Sequence, residues 1–297
     1  MEEIKLNAKD GYQLVLHVFK NEHPKAVVQC MHGMCEHQDR YTEFADFLCA
    51  NGYTVVTADM RGHGKDAEVK GYFGKKGHLN LVQDQNDIYD YITKTFPNIP
   101  VYAFAHSMGT ITMRNVLLNN SGHYQKAVLS GYPNYVSATG FGVLLANVKS
   151  LFQGSKHPSP MLSDIVFNDY KKSVKNRQTD FDWISHNQNN INTYMDDPLC
   201  GFDFTISGYN ALFKLLINIK SSKKFNNVNK DLKILLIGGE DDPVLGGENG
   251  KNHSIKVLKG AGFDIENVID YKNMRHELLQ ELEKKTVMED VLNFFNN

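Results

Sequence analysis

The sequence predicts an α/β fold: a mostly parallel central sheet with helices on both faces and a helical insertion. Three observations carry this. Short apolar runs recur between amphipathic segments, at 26–31, 53–58, 101–105, 127–130 and 232–238. Strands that alternate with helices in this way argue for parallel crossover units. His32, Asp59 and Ser107 each follow the end of such a run, and in parallel sheets ligands bind beyond the carboxyl ends of the strands. From 133 to 204 the strand rhythm stops.

Taken in order, residues 4–19 alternate apolar and polar around Asp10-Gly11 and read as an antiparallel hairpin. A buried strand over 26–31 ends at His32-Gly33, and a helical pattern runs from about Arg40 to Asn51 and stops at Gly52. The strand at 53–58 follows. Residues 79–96 are amphipathic, with Leu81, Ile88 and Ile92 on one side, and Pro97 and Pro100 end them. The strand at 101–105 leads through Ala105-His-Ser-Met-Gly109 into a helical pattern from Thr110, and 127–130 is the next strand. Residues 133–204 are rich in Ser, Asn and Lys with scattered apolar residues such as Phe141, Leu144, Leu151, Phe167 and Trp183. They read as a helical cap packed on the rim. A core helix over 207–226, strands at 232–238 and 265–271, and a closing helix over 286–295 complete the chain. The expected organisation is a core from 1–132, the cap from 133–204, and the rest of the core from 205–297.

Composition excludes several classes. Of the 297 residues, 41% are hydrophobic and 22% charged, which suits a globular core. The net charge is -2 with no basic block, so nucleic acid is not an expected partner. The first ten residues lack an apolar signal core. No run approaches the roughly 18 apolar residues of a membrane span. Cys30, Cys35, Cys49 and Cys200 match no zinc spacing, and free thiols in a reducing cytoplasm are expected. Cys35 lies close to the proposed site, where a packing role outweighs a reactive one.

The strand, sharp turn and helix around Ser107 are the setting of a nucleophile elbow, with Ala105 where the first glycine usually stands. A serine hydroxyl needs a base, a group that orients the base, and N–H donors for the oxyanion. Glu240, Asp241 and Asp242 all follow the strand at 232–238 and compete for the orienting role. Asp242 precedes Pro243, which restricts it to extended backbone and favours it. His276 follows the strand at 265–271. The order Ser107, Asp242, His276 is a known chain order for such a triad. Met34, after the third strand, and Met108 are placed to supply oxyanion amides. His32 and His37 have no third metal ligand at a familiar spacing, so neither metal nor cofactor is expected.

The segments His32-Gly-Met-Cys-Glu-His37 with Arg40-Tyr41, Asp59-Met-Arg-Gly-His-Gly64, Ala105-His-Ser-Met-Gly109, Asp242-Pro-Val244 and Arg275-His-Glu277 together resemble the monoacylglycerol lipase and lysophospholipase family of α/β-hydrolases. The resemblance spans nearly the whole chain. Residues 177–183 and 197–202 also resemble bacterial members over the cap. It implies an α/β-hydrolase fold, a Ser107–His276–Asp242 triad and an oxyanion hole from Met34 and Met108. It also implies a small polar pocket for the alcohol, at Glu36, Arg40 and His106. Asp59, Arg61 and His63 match a motif that mainly shapes a loop. Thr110 stands where a further glycine is common. The implied activity is hydrolysis of monoacyl lipid esters, with passing contact between the cap and a membrane surface. A short-chain carboxylesterase, thioesterase or amidase would use the same triad. A non-catalytic binding module on the same scaffold is disfavoured, because all three triad positions are filled.

Overall fold

The structure is a computed structural model that describes residues 1–297. Its strands are β1 (Glu2–Asn7), β2 (Gln13–Phe19), β3 (Val27–Met31), β4 (Thr54–Ala58), β5 (Val101–His106), β6 (Lys126–Ser130), β7 (Lys233–Gly239) and β8 (Asp264–Tyr271). They form one sheet in the order β1-β2-β4-β3-β5-β6-β7-β8. Pairing is antiparallel for β1 with β2 and β2 with β4, and parallel from β4 to β8.

The helices are α1 (Thr42–Ala50), α2 (Gly77–Thr95), α3 (Met108–Asn120), α4 (Thr139–Gln153), α5 (Pro160–Ser173), α6 (Gln188–Asp196), α7 (Ile206–Asn218), α8 (Gly247–Ala261) and α9 (Lys284–Asn296). The central strands β3, β4 and β6 are buried throughout because both faces are covered, and the pleat sorts alternate residues to opposite sides. Val27 and Met31 of β3 join one cluster with Ile88 and Ile92 of α2 and Met113 and Val116 of α3. Val28 and Cys30 join the other, with Phe44 and Leu48 of α1 and Val291 and Phe295 of α9. β7 divides in the same way, Ile234 and Leu236 to the first cluster and Leu235 and Ile237 to the second.

Register fixes the rim. Met31 lies opposite both Ala58 and Ala105, so His32, Asp59 and His106 leave the sheet at one level. A third apolar cluster lies beyond that rim and joins Met108 and Ile111 of α3 to Ala146 of α4, Leu162 of α5 and Leu212 of α7.

The elements depart from expectation in three places. α7 stops at Asn218, eight residues short of the expected end. Beyond Ile219 the chain is Lys220-Ser-Ser-Lys-Lys, and the Ser221 hydroxyl accepts from the Lys223 N–H to start a separate short turn. α8 is an unexpected helix. Its glycines and lysines hide a short apolar stripe at Val257 and Leu258, although Gly262 in the left-handed region is a C-terminal stop signal that was available. α3 begins at Met108, directly after the serine, rather than at Thr110.

Gly109 is where α3 meets β3. A Cβ there would overlap the Met31 and His32 carbonyl oxygens, whereas one at Gly122 would meet nothing within 4 Å. Gly109→Ala should cost about 1–3 kcal/mol by overpacking and Gly122→Ala less than about 0.5 kcal/mol. Urea denaturation of both variants checks this, and equal midpoints would refute the close approach.

Candidate active site

Three loops at the carboxyl ends of β5, β7 and β8 bring Ser107, Asp242 and His276 together. Ser107 has φ 49° and ψ -118°. The left-handed region is uncommon for a residue with a Cβ and costs of order 1–3 kcal/mol. The turn is held by the Ser107 N–H donating to the Ser130 carbonyl (2.9 Å) and by the Thr110 N–H and hydroxyl both donating to the Ser107 carbonyl (each 2.8 Å).

The Ser107 hydroxyl lies 2.7 Å from His276 Nε2, and His276 Nδ1 lies 2.9 Å from Asp242 Oδ2. Asp242 Oδ1 accepts the Val244 N–H at 2.9 Å. A carboxylate on Nδ1 keeps the proton there and leaves Nε2 free to accept from the hydroxyl. Of the three acids that compete in sequence, Asp242 alone faces His276. Asp241 pairs with His186 at 2.9 Å, and Glu240 points to solvent. The loop carrying His276 is pinned by the Arg275 N–H to Glu281 and by the Glu277 N–H to the Ile184 carbonyl. Gly239 has no room for a Cβ, because the Met274 and Arg275 carbonyls press on it.

Met34 and Met108 both border the same pocket as the serine. Met108 is the first residue of α3, and the first N–H groups of a helix have no intrahelical acceptor and carry partial positive charge. The Met34 N–H has no protein acceptor. His32 braces this loop: its Nε2 accepts the Met60 N–H at 2.8 Å, so the ring proton sits on Nδ1 facing the Gly33 carbonyl.

Glu36 and Arg40 belong to a buried ionic cluster beside the site. Arg40 donates to Glu277 through both arms (2.6 and 2.8 Å), to Glu36 at 2.8 Å and to Asn190 Oδ1 at 2.9 Å. Glu36 also accepts from the Tyr41 hydroxyl and the Gly33 N–H. His106 borders the same space, and its ring centroid lies 4.6 Å from that of His276. Gly131, with φ 56°, leaves room for both rings, since a Cβ there would come within 2.9 Å of His276 Nδ1.

Sequence reasoning assigned no role to Glu277, Asn190 or Gly131. Glu277 could have been found, because it adjoins His276 in chain. Asn190, inside the cap, carries no signal. Asp59, Arg61 and His63 support loops: Asp59 receives the Gln38 N–H, Arg61 pairs with Asp10 and Asp84, and His63 stacks on Phe73. The Cys35 thiol is buried and donates to the Phe202 carbonyl, and burial pushes its pKa well up.

Ser107 stands where two pockets meet. One is mixed in character and includes Glu36, His106, Tyr194, Asp203 and Glu277. The other is mostly apolar, with Ile111, Val136, Ile165, Leu212, Phe213 and Val244. Met34, Phe167 and Trp183 border both.

The electrostatics separate the histidines. For His276, burial pulls the pKa down, but Asp242 and then Glu277 and Glu36 outweigh it, and the net shift is upward from 6.5. His106 is held down to about 4 by burial and by His276, and His32 to about 3 by burial. Glu277 lies below the usual carboxylate range: burial opposes its charge, and Arg40 and Asn190 more than compensate.

A family model described as serine aminopeptidase, S33 matches residues 22–283. The chain is 26% identical over 275 residues to the monoacylglycerol lipase of Mycolicibacterium smegmatis, covering 90% of this chain and 87% of that one. It is 29% identical over 179 residues to the monoglyceride lipase of Homo sapiens, covering 59% of this chain and 52% of that one. Among solved structures, a highly thermostable carboxyl esterase from Bacillus coagulans in complex with glycerol superposes with TM-score 0.92 at 21% identity, covering 99% of this chain and 97% of that one. The expected α/β-hydrolase architecture is therefore the one observed.

An NMR titration of the imidazoles should show His276 titrating above pH 6.5 while His106 stays neutral down to about 4 and His32 to about 3. The unfolded chain binds protons at His32 and His106 below about pH 6.5. The fold refuses them, so their contribution to stability is lost as pH falls from there. His276 acts oppositely: its contribution is present below about pH 6.5 and lost as pH rises through its raised value. A His106 resonance that titrates near 6.5 would contradict this.

Proposed function

The chain belongs to the serine aminopeptidase S33 family of hydrolases, and on that premise we propose that it hydrolyses the carboxylic esters of monoacyl lipids, monoacylglycerol or lysophospholipid. Family and lipase relatives together make it a serine ester hydrolase.

In this reading Ser107 Oγ attacks the ester carbonyl and His276 Nε2 takes its proton. Asp242 holds the imidazole in the productive tautomer and stabilises it when charged. The Met34 and Met108 amides receive the oxyanion. His276 then returns the proton to the leaving alcohol, and the acyl group stays on Ser107. A water molecule, activated by His276, releases the fatty acid.

The observation that carries the substrate assignment is the position of Ser107 between two unlike pockets. An acyl chain suits the apolar one, because burying methylenes stabilises by about 0.8 kcal/mol each. A polar alcohol suits the other, where the His106 imidazole faces the pocket and makes no hydrogen bond to protein. Glu36 lines that side as well. Arg40, with both arms committed, serves by fixing Glu36 and Glu277. The same commitment disfavours cleavage of peptides at a free amino terminus, because neither glutamate is free to hold an amine. Residues 133–204 act as the cap and supply Phe167 and Trp183.

The cap also bears the proposed contact with a lipid surface. Along α4 and α5, Phe141, Leu144, Leu151, Phe152 and Ile165 point outward, with Leu151 and Phe152 each 84% exposed. A contiguous exposed apolar face of this kind marks an interaction site. Val136 and Ile165 are both exposed and part of the apolar pocket wall, so the pocket opens onto that face.

Two experiments test the reading. Ser107→Ala should lower kcat by at least about 10⁴-fold and abolish fluorophosphonate labelling. In an ester series, kcat/KM should rise from acetyl to medium and long acyl chains, and monoacylglycerol should be turned over. A steady fall beyond short chains would replace the lipid assignment with a small-ester one. Separately, Leu151→Asp with Phe152→Asp should reduce turnover of vesicle-borne monoacylglycerol by about tenfold through lost burial, with hydrolysis of a soluble short-chain ester unchanged. Equal loss on both substrates would remove the membrane role.

A further inference from the structure

We infer that His37, Asp197 and Cys200 form a binding site for a zinc(II) ion that clamps the cap to the loop carrying Met34 and Glu36. A ring nitrogen of His37, an Asp197 carboxylate oxygen and Cys200 Sγ all lie within 4.8 Å of one another. In tetrahedral zinc, bonds of about 2.0–2.3 Å place ligand atoms roughly 3.5 Å apart. Small side-chain movements therefore bring the three onto one ion, with water as the fourth ligand. A nitrogen, an oxygen and a thiolate sulfur form a zinc ligand set and are poor for magnesium or calcium.

A second observation concerns the far side of the imidazole. His37 is buried, and its Nδ1 has no hydrogen-bond partner. Its Nε2 lies 2.8 Å from Asp197 Oδ2, so in the neutral ring the proton sits on Nε2 and Nδ1 is an orphan acceptor. An ion on Nε2 reverses this. Nε2 gives its proton to solvent and Nδ1 takes one up. The new Nδ1–H then faces Asp39 Oδ2, 3.6 Å away. A carboxylate behind a metal-bound histidine is the usual second layer of such sites, and here a small rotation of Asp39 supplies it. Asp197 is prepared too: its Oδ1 accepts the Leu199 N–H at 2.8 Å, which leaves Oδ2 for the ion. The Cys200 thiol releases its proton to solvent, so each ion bound liberates about one proton in total.

The ligands come from two parts of the chain that already touch. The Cys35 carbonyl accepts from the Tyr194 hydroxyl (2.9 Å) and the Gly201 N–H (3.0 Å). An ion at His37, Asp197 and Cys200 adds a strong link beside those two hydrogen bonds. This inference is independent of the substrate assignment.

The test titrates metal-free protein with zinc by calorimetry and with cobalt(II) by absorption. One ion per chain should bind, with a thiolate-to-cobalt charge-transfer band, and zinc should raise the thermal midpoint. Cys200→Ser, a near-isosteric change, should abolish the band and weaken zinc binding by at least about tenfold. His37→Gln should do the same to affinity, and Cys49→Ser should change neither. Circular dichroism of the metal-free variants confirms that they fold. Absence of stoichiometric binding would overturn the site and leave His37 as a hydrogen-bond partner of Asp197. Binding that survives both Cys200→Ser and His37→Gln would overturn it equally, by placing the ion elsewhere.

Discussion

The site depends on one backbone constraint, the left-handed conformation of Ser107 between β5 and α3. With φ at 49°, the chain turns from strand to helix with no intervening loop. That single turn lifts the hydroxyl off the sheet and aims the start of α3 at the same space. The strain is affordable because the surroundings over-determine it. Gly109 lets α3 press on the Met31 and His32 carbonyls. Ser130 and Thr110 satisfy the Ser107 backbone groups. α3 is buried for nearly its whole length, even at Arg114. That guanidinium has no carboxylate partner and donates to the Thr110 and Pro133 carbonyls and the Ser254 hydroxyl. It ties the helix to the loop after β6, and burial lowers its pKa to about 9. A buried charge satisfied only by neutral acceptors is costly, which fits an element whose placement matters more than its stability.

Around that turn the buried charges are kept in two sets. Asp242 faces His276 alone, with its second oxygen on the Val244 N–H. Glu277 and Glu36 are held by Arg40, Asn190 and Tyr41. The separation has a chemical consequence. A carboxylate free to rotate beside His276 would compete for its protons and blur the tautomer. Clamped on Arg40, Glu277 still acts at a distance, as one of the charges that raise His276, but it offers no alternative hydrogen bond. Arg40 thereby joins three remote parts of the chain, since Glu36 lies on the loop after β3, Asn190 in α6 and Glu277 after β8.

The parts of the molecule that are periodic or strand-terminal were legible in sequence. Five of the parallel strands were visible as apolar runs, and Ser107 and Asp242 each follow one, whereas His276 follows β8, a mixed and partly exposed strand. What was not legible has a physical reason in each case. α8 is amphipathic over too short a stripe to register, because only one of its faces lies on the sheet. The length of α7 was overread because Ser221 and the following lysines interrupt it without a proline or glycine. In the cap, no local rule connects Asn190 to Glu277 or Asp197 to His37. Those pairings are separated by 87 and 160 residues, and only the fold brings them together. His37 shows the limit well: Asp197 and Cys200, which approach it in space, are far from it in the chain.

Chemistry and selectivity therefore sit on different structural supports. The groups placed to make and break the bond are on short turns after strands, where sheet register and backbone hydrogen bonds locate them within a narrow range. The walls that would choose among esters come largely from the cap, through Phe167, Trp183, Val136 and Ile165. Trp183 belongs to both arrangements. Its ring centroid is 5.3 Å from that of His276 and 5.7 Å from that of Phe167, and it borders both pockets. A displacement of the cap would move this ring, change the division between the apolar and polar sides, and uncover the imidazole to water, all without disturbing the Ser107 turn. On the proposed reading, residues 133–204 help to set which ester reaches the serine while the sheet keeps the hydroxyl, imidazole and carboxylate in line.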